Sequence, residues 1–151
     1  MNPNSVDILL VEDNAGDAKL TIRELHKYSL AKKLFHVKDG AEALDFIFAT
    51  GAYARTRHIQ YLPRIVLLDI QMPKLNGMDV LRRLKADPRT SPIPVVILTM
   101  SNENTDIRKC YDLGASSYVV KPLTFEGFMQ AIEKLAIYTQ LMNSYLAAHV
   151  E

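Results

Sequence analysis

Val6-Asp7-Ile8-Leu9-Leu10-Val11-Glu12-Asp13-Asn14 is the stretch that decides the fold. An apolar run of strand length, broken only by Asp7, stops at two acids and an amide. Such a run suits a strand buried on both faces, as in a parallel sheet. The same design returns three times: Ile65-Leu68 stops at Asp69, Pro94-Leu98 at Thr99, and Ser117-Val120 at Lys121. A less apolar run, Leu34-Val37, fits a strand at a sheet edge.

Helical patterns fill the gaps. Ala15 to Tyr28 is amphipathic, with Ala18, Ile22 and Leu25 on one face. Ala41 to Ala49 puts Ala43, Leu44, Ile47 and Phe48 inward. Met78 to Ala86 is stopped by Asp87-Pro88. Ser101 or Asn102 caps a helix that runs to Leu113 and ends at Gly114. A last helix runs from Thr124 to Ala148. Thr50 to Pro63 has no clear period and reads as a long loop with room for one turn of helix. Strand and helix thus alternate five times, which predicts an α/β fold: a five-stranded parallel sheet, right-handed crossovers and helices on both faces.

A parallel sheet presents all its carboxyl-terminal strand ends along one edge, where α/β proteins place their sites. Glu12, Asp13, Asp69, Thr99 and Lys121 would meet there. Unit charges 4 Å apart interact by ~4 kcal/mol at an effective dielectric of 20, so three converging carboxylates need cations beside them. Lys121 supplies one charge and a divalent cation the rest. Hard oxygen ligands suit Mg²⁺. His26, His36, His58 and His149 are scattered and give no transition-metal pattern. Asp69 is the best candidate nucleophile, because a carboxylate can attack phosphorus to give an aspartyl phosphate. Thr99 and Lys121 would then hold phosphoryl oxygens.

Each residue also has a plainer reading. Asp13 equally fits a helix cap, Thr99 a turn residue, and Lys121-Pro122 the end of a strand. The coincidence of these residues at the ends of four strands favours chemistry.

The bulk composition narrows the classes. The 151 residues expect one domain, with a core over about 6–140 and a C-terminal helical extension over about 141–151. A chain of this size buries roughly 70% of its unfolded surface and needs no staples. A net charge of +1 argues against a general polyanion binder such as a nucleic-acid protein. One cysteine, Cys110, permits no intrachain disulfide and fits a reducing cytoplasm. No apolar run reaches the ~20 residues of a membrane span, and the N-terminus does not read as a secretory signal.

With these words in place, the chain resembles a receiver domain of a two-component response regulator. The matching segments are Ile8-Leu9-Leu10-Val11-Glu12-Asp13-Asn14, Leu67-Leu68-Asp69-Ile70-Gln71-Met72-Pro73, Asn76-Gly77, Ile97-Leu98-Thr99, Leu113-Gly114-Ala115 and Val119-Val120-Lys121-Pro122. The resemblance implies a flavodoxin-like doubly wound fold with strand order 2-1-3-4-5. A chemotaxis regulator of this same family is the standard example of that order, so it is carried over from the family. It further implies that a sensor histidine kinase phosphorylates Asp69, and that Glu12, Asp13, Asp69 and the backbone carbonyl of Gln71 bind Mg²⁺. Thr99 and Lys121 would contact the phosphoryl group, and Tyr118 matches an aromatic switch residue, although a half-buried strand tyrosine would look the same.

Met100 departs from the small residue usual after the phosphate-contacting threonine, and is expected to narrow access to Asp69. Gln71 and Ser101 are expected to tune the lifetime of the acyl phosphate. The long Thr50-Pro63 loop, Lys85-Ala86-Asp87-Pro88-Arg89 and the C-terminal extension look similar to stand-alone regulators paired with phytochromes.

Since no effector pattern follows the receiver pattern, output is expected through binding rather than turnover catalysis. In the last helix Phe128, Ile132, Leu135 and Met142 form a core stripe. Ile137, Tyr138, Leu141, Tyr145 and Leu146 leave apolar surface over, which is expected to build a homodimer.

Rival readings are weaker. A haloacid-dehalogenase-type phosphatase carries its nucleophile in Asp-x-Asp after the first strand, where this chain has Glu12-Asp13-Asn14. A flavodoxin-type carrier needs a hydroxyl- and amide-rich loop there, and a dinucleotide enzyme needs Gly-x-Gly-x-x-Gly. A receiver-like scaffold that is not phosphorylated is the alternative from the binding class.

Overall fold

The structure is a computed structural model and describes residues 2–72 and 74–149. Its strands are β1 (Ile8–Val11), β2 (Leu34–Val37), β3 (Ile65–Leu68), β4 (Val95–Thr99) and β5 (Ser117–Val120). The helices are α1 (Ala15–Lys27), α2 (Gly40–Phe48), α3 (Gly77–Ala86), α4 (Asn104–Asp112), α5 (Phe125–Ile132) and α6 (Tyr138–Ala148). All strand pairs are parallel, in the order β2-β1-β3-β4-β5. This is the flavodoxin-like order, with β2 at one edge as its composition suggested and β5 at the other.

Alternation of side chains along each strand builds two cores. Leu9, Val11, Val66, Leu68, Val95 and Ile97 point to the side covered by α2, α3 and α4. Ile8, Leu10, Ile65, Leu67, Val96 and Leu98 point to the side covered by α1, α5 and α6. The central strands are buried on both faces, which explains their unbroken apolar character.

Helix starts follow local chemistry. Asn14, not Asp13, caps α1, accepting the Asp17 amide at 2.9 Å. Asp39 and Asn76 cap α2 and α3 in the same way. The α4 cap differs from the expectation: Glu103 occupies the N-cap position without a side-chain bond. Ser101 Oγ accepts the Glu103 amide at 3.3 Å and donates to Asp106 at 2.6 Å, so it still ties down the first turn.

The segment from Thr50 to Pro63 contains a 3-10 turn at Gly51–Tyr53 and is organised by Arg57, which is 3% exposed. Its guanidinium donates to the carbonyls of Phe46 at 2.5 Å, Tyr61 at 3.1 Å and Pro3. It also lies 3.9 Å over the Phe46 ring. One cation thereby fastens the loop and the N-terminal segment to α2.

The expected single helix from Thr124 to Ala148 is instead two. Residues 133–137 turn the chain, with Leu135 N donating to Ile132 O at 2.9 Å and Tyr138 N to Leu135 O at 3.0 Å. No proline or glycine lies in this turn, so the cause is tertiary. A four-residue strand spans about 13 Å and the eight residues of α5 about 12 Å, so a straight helix would overrun the sheet after Ile132. Turning back keeps Leu135, Ile137 and Tyr138 against the core and buries Leu141. The Tyr145 ring packs tilted against Phe125 at 4.7 Å and Tyr28 at 5.5 Å. Most of the apolar surface assigned to a dimer is therefore used within the chain, while Leu146 remains 51% exposed. Residues 150 and 151 of the expected extension lie outside the described residues.

Candidate active site

The sheet ladder continues one step past the strands and sets the site. Glu12 N donates to Val37 O at 3.1 Å, Asp69 N to Val11 O at 3.1 Å, and Lys121 N to Thr99 O at 2.8 Å. Residues from β1, β3, β4 and β5 are thus locked side by side at one edge. The Lys121-Pro122 peptide, where β5 ends, is cis.

Two glycines make room for the loop after Asp69. A Cβ on Gly77 would lie 2.2 Å from the Asp69 carbonyl oxygen, and one on Gly40 would lie 2.1 Å from that of Leu75. The loop can run against the starts of both α2 and α3 only because neither residue has a side chain. Its first free amide, Gln71 N, donates to Asp69 Oδ1 at 3.0 Å.

Asp69 Oδ2 meets the Lys121 ammonium at 3.0 Å. The same ammonium touches Glu12 Oε1, and lies 2.9 Å from Asp17 Oδ2. Glu12 is buried, and its Oε1 pairs with that ammonium. Thr99 Oγ1 is buried without a partner. Glu12, Asp13 and Asp69 each offer an oxygen within 4.8 Å of the others, with Glu12 and Asp69 buried and Asp13 exposed.

Burial pushes the Glu12 carboxyl up to about 7, against the Lys121 and Asn14 contacts that favour its charge. Burial opposes the charge of Lys121, but hydrogen bonds to Glu12, Asp17 and Asp69 outweigh it and hold its pKa above the ordinary lysine value. Four carboxylates, Glu12, Asp13, Asp17 and Asp69, gather about one ammonium, so the cluster is short of positive charge.

Tyr118 is half-buried on β5 and donates from its hydroxyl to Ser101 O at 2.8 Å. Burial raises its pKa. Met100 is 67% exposed and shares a cleft of about 230 Å³ with Asp17, Leu20, Thr21, Lys121, Pro122 and Leu123. It lies on the rim of that cleft, beside Lys121. The sequence reading missed Asp17. The available signal was its spacing: four residues after Asp13, in the first turn of the helix that the acidic pair introduces.

A parallel α/β sheet thus brings the carboxylates of Glu12 and Asp69 and the Lys121 ammonium together at its carboxyl edge. The model for the response regulator receiver domain matches residues 8–133, and the chain belongs to that family. Among curated relatives, the chain is 37% identical over 131 residues to a probable methanogenesis regulatory protein FilR2 of Methanothrix harundinacea, covering 87% of this chain and 81% of that one. It is 32% identical over 132 residues to response regulator Rcp1 of Synechocystis sp., covering 87% and 86%. Among solved structures, the bacteriophytochrome response regulator AtBRR aligns with a TM-score of 0.78 and 42% identity, covering 86% of this chain and 91% of that one. The Mn²⁺-bound form of Rcp1 aligns with a TM-score of 0.69 and 28% identity, covering 95% and 96%.

The donor set fits the divalent cation that the family implies. The oxygens of Glu12, Asp13 and Asp69 are hard ligands within one ion's reach, and the carboxylates gathered there outnumber the single ammonium of Lys121.

Proposed function

We propose that this chain accepts a phosphoryl group on Asp69 from the phosphohistidine of a sensor histidine kinase, with Mg²⁺, and thereby changes its protein partners. The observation that carries the reading is the meeting of Asp69 with the Lys121 ammonium at the sheet edge where Glu12 and Asp13 also stand. An Asp69 oxygen supplies the electron pair of a new O–P bond. The P–N bond to the donor imidazole breaks, and its nitrogen keeps that pair. Glu12, Asp13, Asp69 and the Gln71 carbonyl would hold the cation, which would offset charge on the phosphoryl oxygens. Lys121 and Thr99 engage the remaining oxygens, so the protein contributes positioning and electrostatics. The chain is the acceptor in this transfer and then hydrolyses slowly; it is not a turnover enzyme.

Output runs through Thr99 and Tyr118. Thr99 moves toward the phosphoryl group, and Tyr118 repacks into the space behind it. A coupling of ~1–3 kcal/mol would change partner affinity roughly 5- to 150-fold. In this reading the chain works in the cytoplasm, through proteins rather than nucleic acid or membrane. Buried, unpaired Cys110 supports a reducing compartment, and among the described residues no helix is long and apolar enough to cross a membrane. Similarity to AtBRR supports a phytochrome-type kinase as donor. Exposed Leu146 supports a homodimer through the α6 region, on a smaller surface than a straight helix would offer.

Phosphotransfer tests the reading. A radiolabelled, autophosphorylated bacteriophytochrome kinase should pass label to this chain with Mg²⁺ and not in EDTA. Label that stays on the kinase with Mg²⁺ present, and with small phosphodonors also refused, would favour the scaffold instead.

A further inference from the structure

Lys121 Nζ has three N–H donors and three carboxylate neighbours: Glu12, Asp17 and Asp69. Two of these neighbours, Glu12 and Asp69, also belong to the group of oxygens that could hold a cation; Asp17 does not. The ammonium and a divalent cation therefore compete for the same two carboxylates. A cation entering the cluster repels the ammonium and withdraws the charge that held it.

Asp17 offers the ammonium somewhere to stay. Its backbone is fixed, because Asn14 Oδ1 accepts its amide at 2.9 Å in the α1 cap. Its side chain reaches from α1 to the end of β5, 104 residues away, and is 34% exposed. Partial exposure makes it cheap to leave charged when the lysine moves. The Asp17 carboxylate is not among the oxygens that lie within one ion's reach of each other.

We propose that Asp17 is a positioning residue that holds Lys121 as Glu12 and Asp69 turn toward the cation, so that cation and ammonium occupy the site together. Without it, Lys121 would have only those two carboxylates to pair with and would oppose the cation directly. The inference rests on the reading of the cluster as a divalent-cation site.

The test is calorimetric titration of the full chain with Mg²⁺, for the unaltered protein, Asp17→Asn and Asp17→Glu. Asp17→Asn should weaken Mg²⁺ binding by about fivefold or more, the scale of a modest coupling, and Asp17→Glu should recover most of it. In a Lys121→Met background, Asp17→Asn should change the dissociation constant by less than about twofold, since a residue acting through Lys121 has nothing left to act on. If that background does not fold, raised salt replaces it. A bare surface charge is screened at ~0.5 M KCl, whereas an effect relayed by the half-sheltered ion pair persists. An Asp17→Asn protein that binds Mg²⁺ normally overturns the inference. So does a loss of the same size in the Lys121→Met background, or one that vanishes in salt. If the unaltered chain binds no Mg²⁺, the cation reading itself fails, and Asp17's role with it.

Discussion

Lys121 Nζ stands 3.0 Å from Asp69 Oδ2, across 52 residues of sequence. The pair is almost fully buried, with side-chain exposures of 7% and 5%. Breaking a buried pair by removing one partner leaves an uncompensated charge, at a typical cost of about 3–5 kcal/mol. Lys121→Met should therefore lower stability by about 3 kcal/mol in EDTA, and Mg²⁺ should return part of the loss. Urea denaturation with and without the cation measures both.

Glu12 predicts a pH dependence. Its folded-state pKa of about 7 lies above its unfolded value of 4.5. Between those values the folded state binds more protons than the unfolded one, so stability falls as pH rises. The contribution is fully present below pH 4.5 and is lost through pH 7, and its ceiling is about 3 kcal/mol at 1.36 kcal/mol per unit. The check is denaturant unfolding in EDTA at pH 5 and pH 8. Glu12→Gln should flatten the slope, and so should saturating Mg²⁺, which holds the carboxylate ionised.

Gly77 predicts a positional effect. A methyl group there would lie 2.6 Å from Ile70 Cα as well as against the Asp69 carbonyl. Backbone atoms cannot step aside as a flexible side chain can. Gly77→Ala should cost about 1–3 kcal/mol and slow phosphoryl acceptance by about 10²-fold, the scale of an ångström's misplacement. Rates of mass gain from a small phosphodonor, beside circular dichroism melts, separate the two effects.

Arg57 predicts the opposite combination. It holds the carbonyls of Pro3, Phe46 and Tyr61, none of which belongs to the acidic cluster. Removing the guanidinium strands buried acceptors at about 1–3 kcal/mol each. Arg57→Leu should lower the melting temperature by several degrees yet leave the rate of phosphoryl acceptance at 20 °C unchanged. Arg57→Lys should not restore stability, because one ammonium cannot reproduce the planar fork.

The chain's alternation of strands and helices was legible because each central strand is an uninterrupted apolar run that ends on a polar residue. Glu12, Asp69, Thr99 and Lys121 could be placed together because parallel strands share one edge. What escaped the sequence depended on long-range packing. Phe46, not Phe48, is fully buried on α2, because Phe35 at 4.7 Å and Arg57 claim its ring. The break after Ile132 carries no proline or glycine to announce it, and is set by where the sheet ends. Asp17 escaped the sequence reading, since only the fold brings Lys121 to it. From the sequence Asp13 fits a cation ligand, with a helix cap as its plainer alternative, and Asn14 takes the cap.

Intact-protein mass after incubation with acetyl phosphate tests the central claim most directly, with and without Mg²⁺ and beside Asp69→Asn. The account predicts a gain of one phosphoryl group that requires Mg²⁺ and is absent from the variant. A gain that persists in Asp69→Asn, or that is indifferent to Mg²⁺, would contradict it.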